Sequence, residues 1–168
     1  MTLQITRISL PWVLAILSVV LSLDWGVAHA QYPGLITSLG IVHVVESGTH
    51  YAIMLDDRLL HSIEERGAVR PRIMLQIGAV EDYAEVLLFE RSRLDSSGIH
   101  RFLFTIAIKP DRSSVASNDV PSPKDVEPRI IRTGSRFTIN VPPTRSAGGV
   151  GRIWTFRDGN LVPSERRR

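Results

Sequence analysis

From residue 35 onward, apolar and polar positions alternate in short runs rich in Val, Ile, Phe and Tyr, broken by Gly, Asp and Ser. Period-two alternation over such lengths predicts β-strands, and long amphipathic helical patterns are hard to find. Leu35–Glu46 reads as an opening strand with Leu35, Leu39, Ile41 and Val45 on one side. Thr49–Leu55 follows, and Asp56-Asp57 forms a two-residue turn into Arg58–Ile63. A rival assignment makes Asp57 the N-cap of a short helix stopped by Gly67; the hairpin is preferred. Ile73–Val80 and Ala84–Arg91 are joined through Glu81-Asp82, and Val86-Leu87-Leu88-Phe89 is apolar on both faces, as suits a strand covered on both sides.

After the turn Asp95-Ser96-Ser97-Gly98 the alternation is clearest, with Phe102, Phe104, Ile106 and Ile108 set against Arg101, Leu103, Thr105 and Ala107. The pattern then collapses. Residues 109–128 contain Pro110, Pro121, Pro123 and Pro128 with little that suits a core, so the expectation is a mobile loop. Order resumes with Arg129–Thr133, a Gly134-Ser135 turn and Arg136–Val141, whose Phe137, Ile139 and Val141 face inward. A glycine-rich connection then leads to Arg152–Arg157, an Asp158-Gly159 turn and the return Asn160–Val162. That turn pairs Phe156 with Leu161 and puts Trp154 on their face. Nine or ten short strands with tight turns predict an all-β fold, an antiparallel meander forming a small sandwich or barrel.

The start of the chain does not fit this pattern. Its only charge before the apolar run Leu10–Leu23 is Arg7; Asp24-Trp25-Gly26 breaks that run, and Ala28-His29-Ala30 ends the segment. Small residues at Ala28 and Ala30 are what a signal peptidase accommodates, so residues 1–30 read as a signal helix cleaved after Ala30. The alternative is an uncleaved N-terminal anchor, but a run of about 14 apolar residues is short of the ~20 that span a bilayer as a helix. The expected product is one β-rich domain over residues 31–168 with a flexible tail at 164–168, periplasmic or secreted and free of the membrane after cleavage.

Composition changes this picture little. Losing residues 1–30 removes one base, Arg7, and one acid, Asp24, so the formal net charge stays at +3. There is no cysteine, which excludes disulfides, thiol redox chemistry and a lipid-modified cysteine anchor. The arginines are dispersed along the chain. The one basic run, Arg166-Arg167-Arg168, reads as a solvated tail, so nucleic acid is not an expected partner.

The ordered landmarks are Tyr51-Ala52-Ile53-Met54-Leu55-Asp56-Asp57-Arg58, Ala84-Glu85-Val86-Leu87-Leu88, His100-Arg101-Phe102, Phe137-Thr138-Ile139-Asn140-Val141-Pro142 and Trp154-Thr155-Phe156-Arg157-Asp158-Gly159. Their order over residues 49–162 resembles a group of exported, β-rich bacterial proteins of unknown function. The resemblance implies the hairpin at Asp56-Asp57 and no particular activity.

Candidate chemistry is sparse. If Asp56-Asp57 closes a regular hairpin, residue 52 faces residue 61. His50 and His61 then lie diagonally on one face with Ala52, Met54 and Leu59. Two imidazoles are an incomplete metal site, needing a third ligand such as His43 or His100. Asp95, Ser96, Ser97 and His100 hold the residue types of a hydrolytic triad, but in one turn, and no Gly-x-Ser-x-Gly elbow is present. Gly148-Gly149-Val150-Gly151 lacks the Lys-Ser/Thr ending of a phosphate loop. Glu64-Glu65 and Glu81-Asp82 read as solvated charge. Tyr51 and Trp154 are candidates for a binding surface, with core packing the competing role.

The sequence therefore points to an exported, non-enzymatic interaction module without a cofactor, its partner an envelope protein or an anionic envelope polymer. Two alternatives are a metal-dependent or hydrolytic enzyme using His50 and His61, and a barrel carrying a small ligand.

Overall fold

The computed structural model describes residues 34–123, 127–143 and 151–164. Residues 1–30 with Ala28 and Ala30, the three terminal arginines and Gly148–Val150 lie outside the described residues. The described part is all-β, with thirteen strands in three antiparallel sheets and no helix among the described residues.

The first sheet runs β1 (Leu35–Thr37), β2 (Gly40–Ser47), β3 (His50–Leu55), β4 (Arg58–Ile63). The central sheet holds β5 (Ala68–Val80), β6 (Tyr83–Asp95) and β7 (Gly98–Ile108), with β8 (Ser114–Ala116) and β9 (Val120–Ser122) both paired to the far edge of β7. The third sheet is β10 (Arg129–Thr133), β11 (Arg136–Val141), β12 (Arg152–Arg157), β13 (Asn160–Pro163). Each sheet is thus one contiguous stretch of chain.

Among the described residues no sheet closes on itself, so the barrel gives way to a three-layered sandwich. The reason lies in β6 and β7. Val86, Leu88, Leu103 and Ala107 point to one side and pack on Phe137, Ile139, Val141, Phe156 and Leu161 of the third sheet. Leu87, Phe89, Phe104, Ile106 and Ile108 point to the other and pack on Val42, Ile53, Leu55, Leu60 and Ile63 of the first. A sheet apolar on both faces needs two partners, and each fully buried large side chain contributes about 1.5–3 kcal/mol. Each core has a stacked aromatic pair: Phe137 and Phe156 at 5.0 Å on one side, Phe89 and Phe104 at 5.3 Å on the other.

Several expectations change. Leu35–Glu46 is not one strand: Ser38-Leu39 forms a tight turn, with Thr37 opposite Gly40. Gly40 has φ 144°, and a Cβ there would come within 2.4 Å of the Asp56 carboxylate. The turn shifts the register, so Val42 faces the core while Ile41 is exposed.

The Asp56-Asp57 hairpin forms, with Leu55 opposite Arg58 and Met54 opposite Leu59. A β-bulge then takes up Leu60, so His61 pairs with Ile53 and residue 52 with Ser62. Beyond Arg101 both faces of β7 are covered, Leu103, Thr105 and Ala107 included.

The segment at 109–128 departs most from its composition. Its described part is a strap of two three-residue strands that completes the edge of β7 and buries Val120 and Ser122. Residues 117–119 interrupt the pairing. There the Ser117 hydroxyl accepts from the Thr105 amide at 2.9 Å, and the Ser117 amide donates to the Thr105 carbonyl at 2.8 Å. Strap side chains reach all three layers. Arg112 donates to the Leu39 carbonyl and pairs with Asp56, Ser114 donates to the Leu60 carbonyl, and Asn118 accepts from the Leu161 amide at 3.0 Å. Asp119 holds Arg91 through both carboxylate oxygens. Proline spacing concealed a segment whose bonding is made by short polar side chains.

Candidate functional site

The residues singled out for chemistry are not brought together as a reaction centre. The bulge at Leu60 puts His61 on the core side of β4, its ring 5.6 Å from Phe104, and burial pushes its pKa down, opposed by Asp119. His50 lies at the other end of β3, opposite Ser47, exposed and on the outward side. The predicted diagonal placement of His50 and His61 is therefore corrected: a one-residue slip moves a side chain to the opposite face. Among the described residues no three His, Cys, Asp or Glu side chains are grouped to hold a metal ion.

Asp95, Ser97 and His100 do meet, but not in series. Nε2 of His100 lies 2.8 Å from the Ser97 hydroxyl and 3.2 Å from Asp95 Oδ1, while that hydroxyl also donates to Oδ1 at 2.6 Å. A catalytic triad uses one imidazole nitrogen for the serine and the other for the carboxylate. Here a single nitrogen serves both, and the serine has its own path to the acid. The Ser97 hydroxyl and amide lower the Asp95 pKa to about 2. The trio locks the β6–β7 turn. Tyr51 and Trp154 both pack against cores, Tyr51 beneath the first sheet and Trp154 beneath the third.

Arginine separates the surfaces of the molecule. Along the central sheet every arginine of β6 and β7 has a carboxylate. Arg91 pairs with Glu65 and Asp119, Arg93 with Glu65 and Asp95, and Arg101 with Glu90. Arg91 and Arg93 also lie over the Phe102 ring, at 5.2 and 5.9 Å. These guanidiniums hold the Glu65 carboxyl below its usual range, Arg93 contributing most.

The outward face of the third sheet is different. Alternation that sends Phe137, Ile139, Phe156 and Leu161 inward turns Arg136, Thr138 and Asn140 of β11 and Ile153, Thr155 and Arg157 of β12 outward. On β10, Arg129 and Ile131 face out, while Arg132 reaches inward to the Ile77 and Ala79 carbonyls of β5. Arg129, Arg136 and Arg157 are exposed and make no ion pair among the described residues. No Asp or Glu occupies an outward position of these four strands.

At one end this face opens into a cleft of about 490 Å³. The β11–β12 register runs from Val141↔Arg152 to Thr138↔Thr155 and stops there, although both strands continue for two residues. Arg136 and Arg157 line the cleft, as do Lys109 and the acids Glu81, Asp82 and Asp158. The Asp158-Gly159 turn has both residues at positive φ, and a Cβ on Gly159 would come within 2.9 Å of the Tyr83 hydroxyl. Burial raises the Tyr83 pKa, and Glu81, Asp158 and Asp82 raise it further. The cleft thus offers cations on the side continuous with the open face and carboxylates around Tyr83.

Sequence reading placed Thr138 and Asn140 outward but treated the arginines as dispersed. The signal lay in the two turns. Arg136 follows Gly134-Ser135 and Arg157 precedes Asp158-Gly159, and the antiparallel β11–β12 pairing puts both turns at the same end of the sheet. Comparison with protein-family models, with characterised proteins and with solved structures finds no match to the chain.

Proposed function

We propose that the protein is an exported, non-enzymatic binding module, with the outer face of the third sheet as its ligand surface and an anionic envelope polymer as its ligand. The observation that carries this reading is the set of three exposed arginines, without an ion pair among the described residues, on four strands that contain no Asp or Glu, in a molecule that neutralises the arginines of β6 and β7. Arg129 lies near one end of the face and Arg136 and Arg157 near the other. Strands rise about 3.4 Å per residue, so the separation is on the order of 13 Å along the strand, a distance a chain with repeated anionic groups spans and a single small anion does not. Guanidinium groups bind phosphate or carboxylate oxygens in bidentate fashion, and Thr138, Thr155 and Asn140 between them offer neutral hydrogen bonds. Export, the expectation from residues 1–30, supports an envelope ligand over nucleic acid.

The test is calorimetric titration with sodium polyphosphate and with polygalacturonate, using neutral dextran as control. Expected are binding to at least one polyanion, none to dextran, and affinity that falls with added salt. Removing Arg136 and Arg157 together should weaken binding at least about tenfold and flatten the salt dependence by about one logarithmic unit per arginine, as counterion release requires. Salt-independent binding, or binding indifferent to R136S/R157S, would overturn the reading.

A further inference from the structure

The cleft at the end of the third sheet carries more chemistry than a polyanion uses. Three cations, Lys109, Arg136 and Arg157, and three acids, Glu81, Asp82 and Asp158, line its 490 Å³. None of the six makes an ion pair among the described residues, although Arg157 and Asp158 are consecutive in the chain. The backbone keeps the two signs out of contact. Pairing of β11 with β12 stops at Thr138↔Thr155, so the two strands part before Arg136 and Arg157. Glu81 Oε2 accepts from the Asp158 amide at 3.0 Å, which ties the β5–β6 turn to the β12–β13 turn and gathers the acids on one side.

Tyr83 stands among those acids. It is 9% exposed, and its hydroxyl makes no hydrogen bond among the described residues. Burial and the neighbouring carboxylates hold its pKa up, so the hydroxyl stays protonated and able to donate. A nearly buried donor without an acceptor, in the wall of a cleft, is a group open to a ligand.

Charge decides the class of that ligand. A small anion meets three carboxylates here, and a small cation meets three cationic side chains. No metal-holding group of acids or histidines exists among the described residues. The rings of the lining, Tyr83 and Phe156, are buried and leave no open face for a neutral sugar to stack on.

We infer that this cleft is a binding site for a small zwitterion, an amino acid or short peptide with a free ammonium and a free carboxylate. The ligand carboxylate lies between Arg136 and Arg157, whose guanidiniums bind such a group in bidentate fashion. The ammonium, with three donors, lies among Asp82 and Asp158, and the Tyr83 hydroxyl donates to the ligand oxygen next to it. The volume falls within the range of about 300–1,000 Å³ common for small-molecule sites. The site shares Arg136 and Arg157 with the polymer surface proposed above but not Arg129, and it stands whether or not that surface binds polymer.

Calorimetric titration of the intact purified protein with alanine, phenylalanine and alanyl-alanine, each to about 10 mM, tests the inference. N-acetyl-alanyl-alanine and alanyl-alanine amide, each lacking one charge, are the controls. Expected is saturable binding of at least one zwitterion, with both single-charge analogues weaker than alanyl-alanine by at least about tenfold. The double variant D82N/D158N should weaken zwitterion binding at least about tenfold with the melting temperature unchanged. Asparagine accepts the positive φ of residue 158, and Asn-Gly suits a two-residue hairpin turn. Tyr83→Phe should weaken binding about three- to tenfold. Polyanion binding should survive D82N/D158N, and zwitterion binding should survive Arg129→Ser, so failure of one reading is distinguishable from failure of the other. Preference for alanyl-alanine over alanine would assign the site to peptides and the reverse to free amino acids, either in support of the inference. Absence of binding by all three zwitterions would overturn it, as would single-charge analogues that bind equally well or binding indifferent to D82N/D158N.

Discussion

The two cores lie on opposite sides of one sheet, and this makes a quantitative prediction about pairs of substitutions. Phe89 and Phe104 stack in one core, Phe137 and Phe156 in the other, and all four are at most 1% exposed. Replacing Phe104 with Leu leaves a void and breaks a stacked pair. The packing loss is about 1–2 kcal/mol and the stacking loss about 0.5–1.5 kcal/mol, so roughly 2–3 kcal/mol together. Phe156→Leu should cost a similar amount on the other side. Because the β6–β7 backbone separates the sites, the double variant Phe104→Leu/Phe156→Leu should be additive to within about 0.5 kcal/mol. Phe89→Leu/Phe104→Leu should fall short of additivity by about 0.5–1.5 kcal/mol, since the stacking is lost only once. Equilibrium urea unfolding of the wild type, the three single variants and the two double variants measures this, provided the m-values stay constant. Strong coupling across the sheet, or none within a stacked pair, would refute the separation into two independent cores.

Asp119→Ala should release the strap, with a stability loss of about 1–3 kcal/mol for the partly buried Arg91 pair and faster proteolytic cleavage within residues 109–123, read by limited proteolysis and mass spectrometry. Asp95 should titrate near 2 by carbon-detected NMR, and Ser97→Ala should raise that value. Its folded pKa is depressed, so its contribution to stability is present above the unfolded value near 3.9 and is lost as pH falls through about 2. His61 has a lowered pKa through burial, so the unfolded chain takes up its proton first. Stability should therefore decline as pH falls below about 6.5, and His61→Gln should flatten that decline in denaturation curves compared at pH 5 and 7.5.

Where the turn chemistry was strong, the strands were legible. Asp56-Asp57, Glu81-Asp82 and Asp158-Gly159 each close the hairpin that their residues predict, and Phe156 stands opposite Leu161 as expected. The apolar run at Val86–Phe89 marked the covered middle strand, because burial on both faces removes the polar half of the alternation. Features that depend on one extra or missing residue escaped. The bulge at Leu60 moves His61 to the inner side, and the Ser38-Leu39 turn reverses the faces of Ile41 and Val42, yet neither site carries a strong local marker. The strap escaped because its cohesion comes from Ser117, Asn118, Asp119 and Arg112 reaching distant backbone and charge, which composition alone reads as loop. The arginine face is a product of register, so it became visible only when the four strands lay side by side.

That each layer is a contiguous stretch of chain has a consequence for how the molecule comes into being. Pairing within a sheet joins near neighbours in sequence, so each meander can form quickly and without reference to the others. The middle meander is the hazardous one. When the chain is assembled from its N-terminal end, β1–β4 are available to cover Leu87, Phe89 and Phe104, but Val86, Leu88, Leu103 and Ala107 stay bare until residues 129–163 arrive. A chain stopped after β9 should therefore aggregate through this bare face, which residues 129–163 cover in the complete fold.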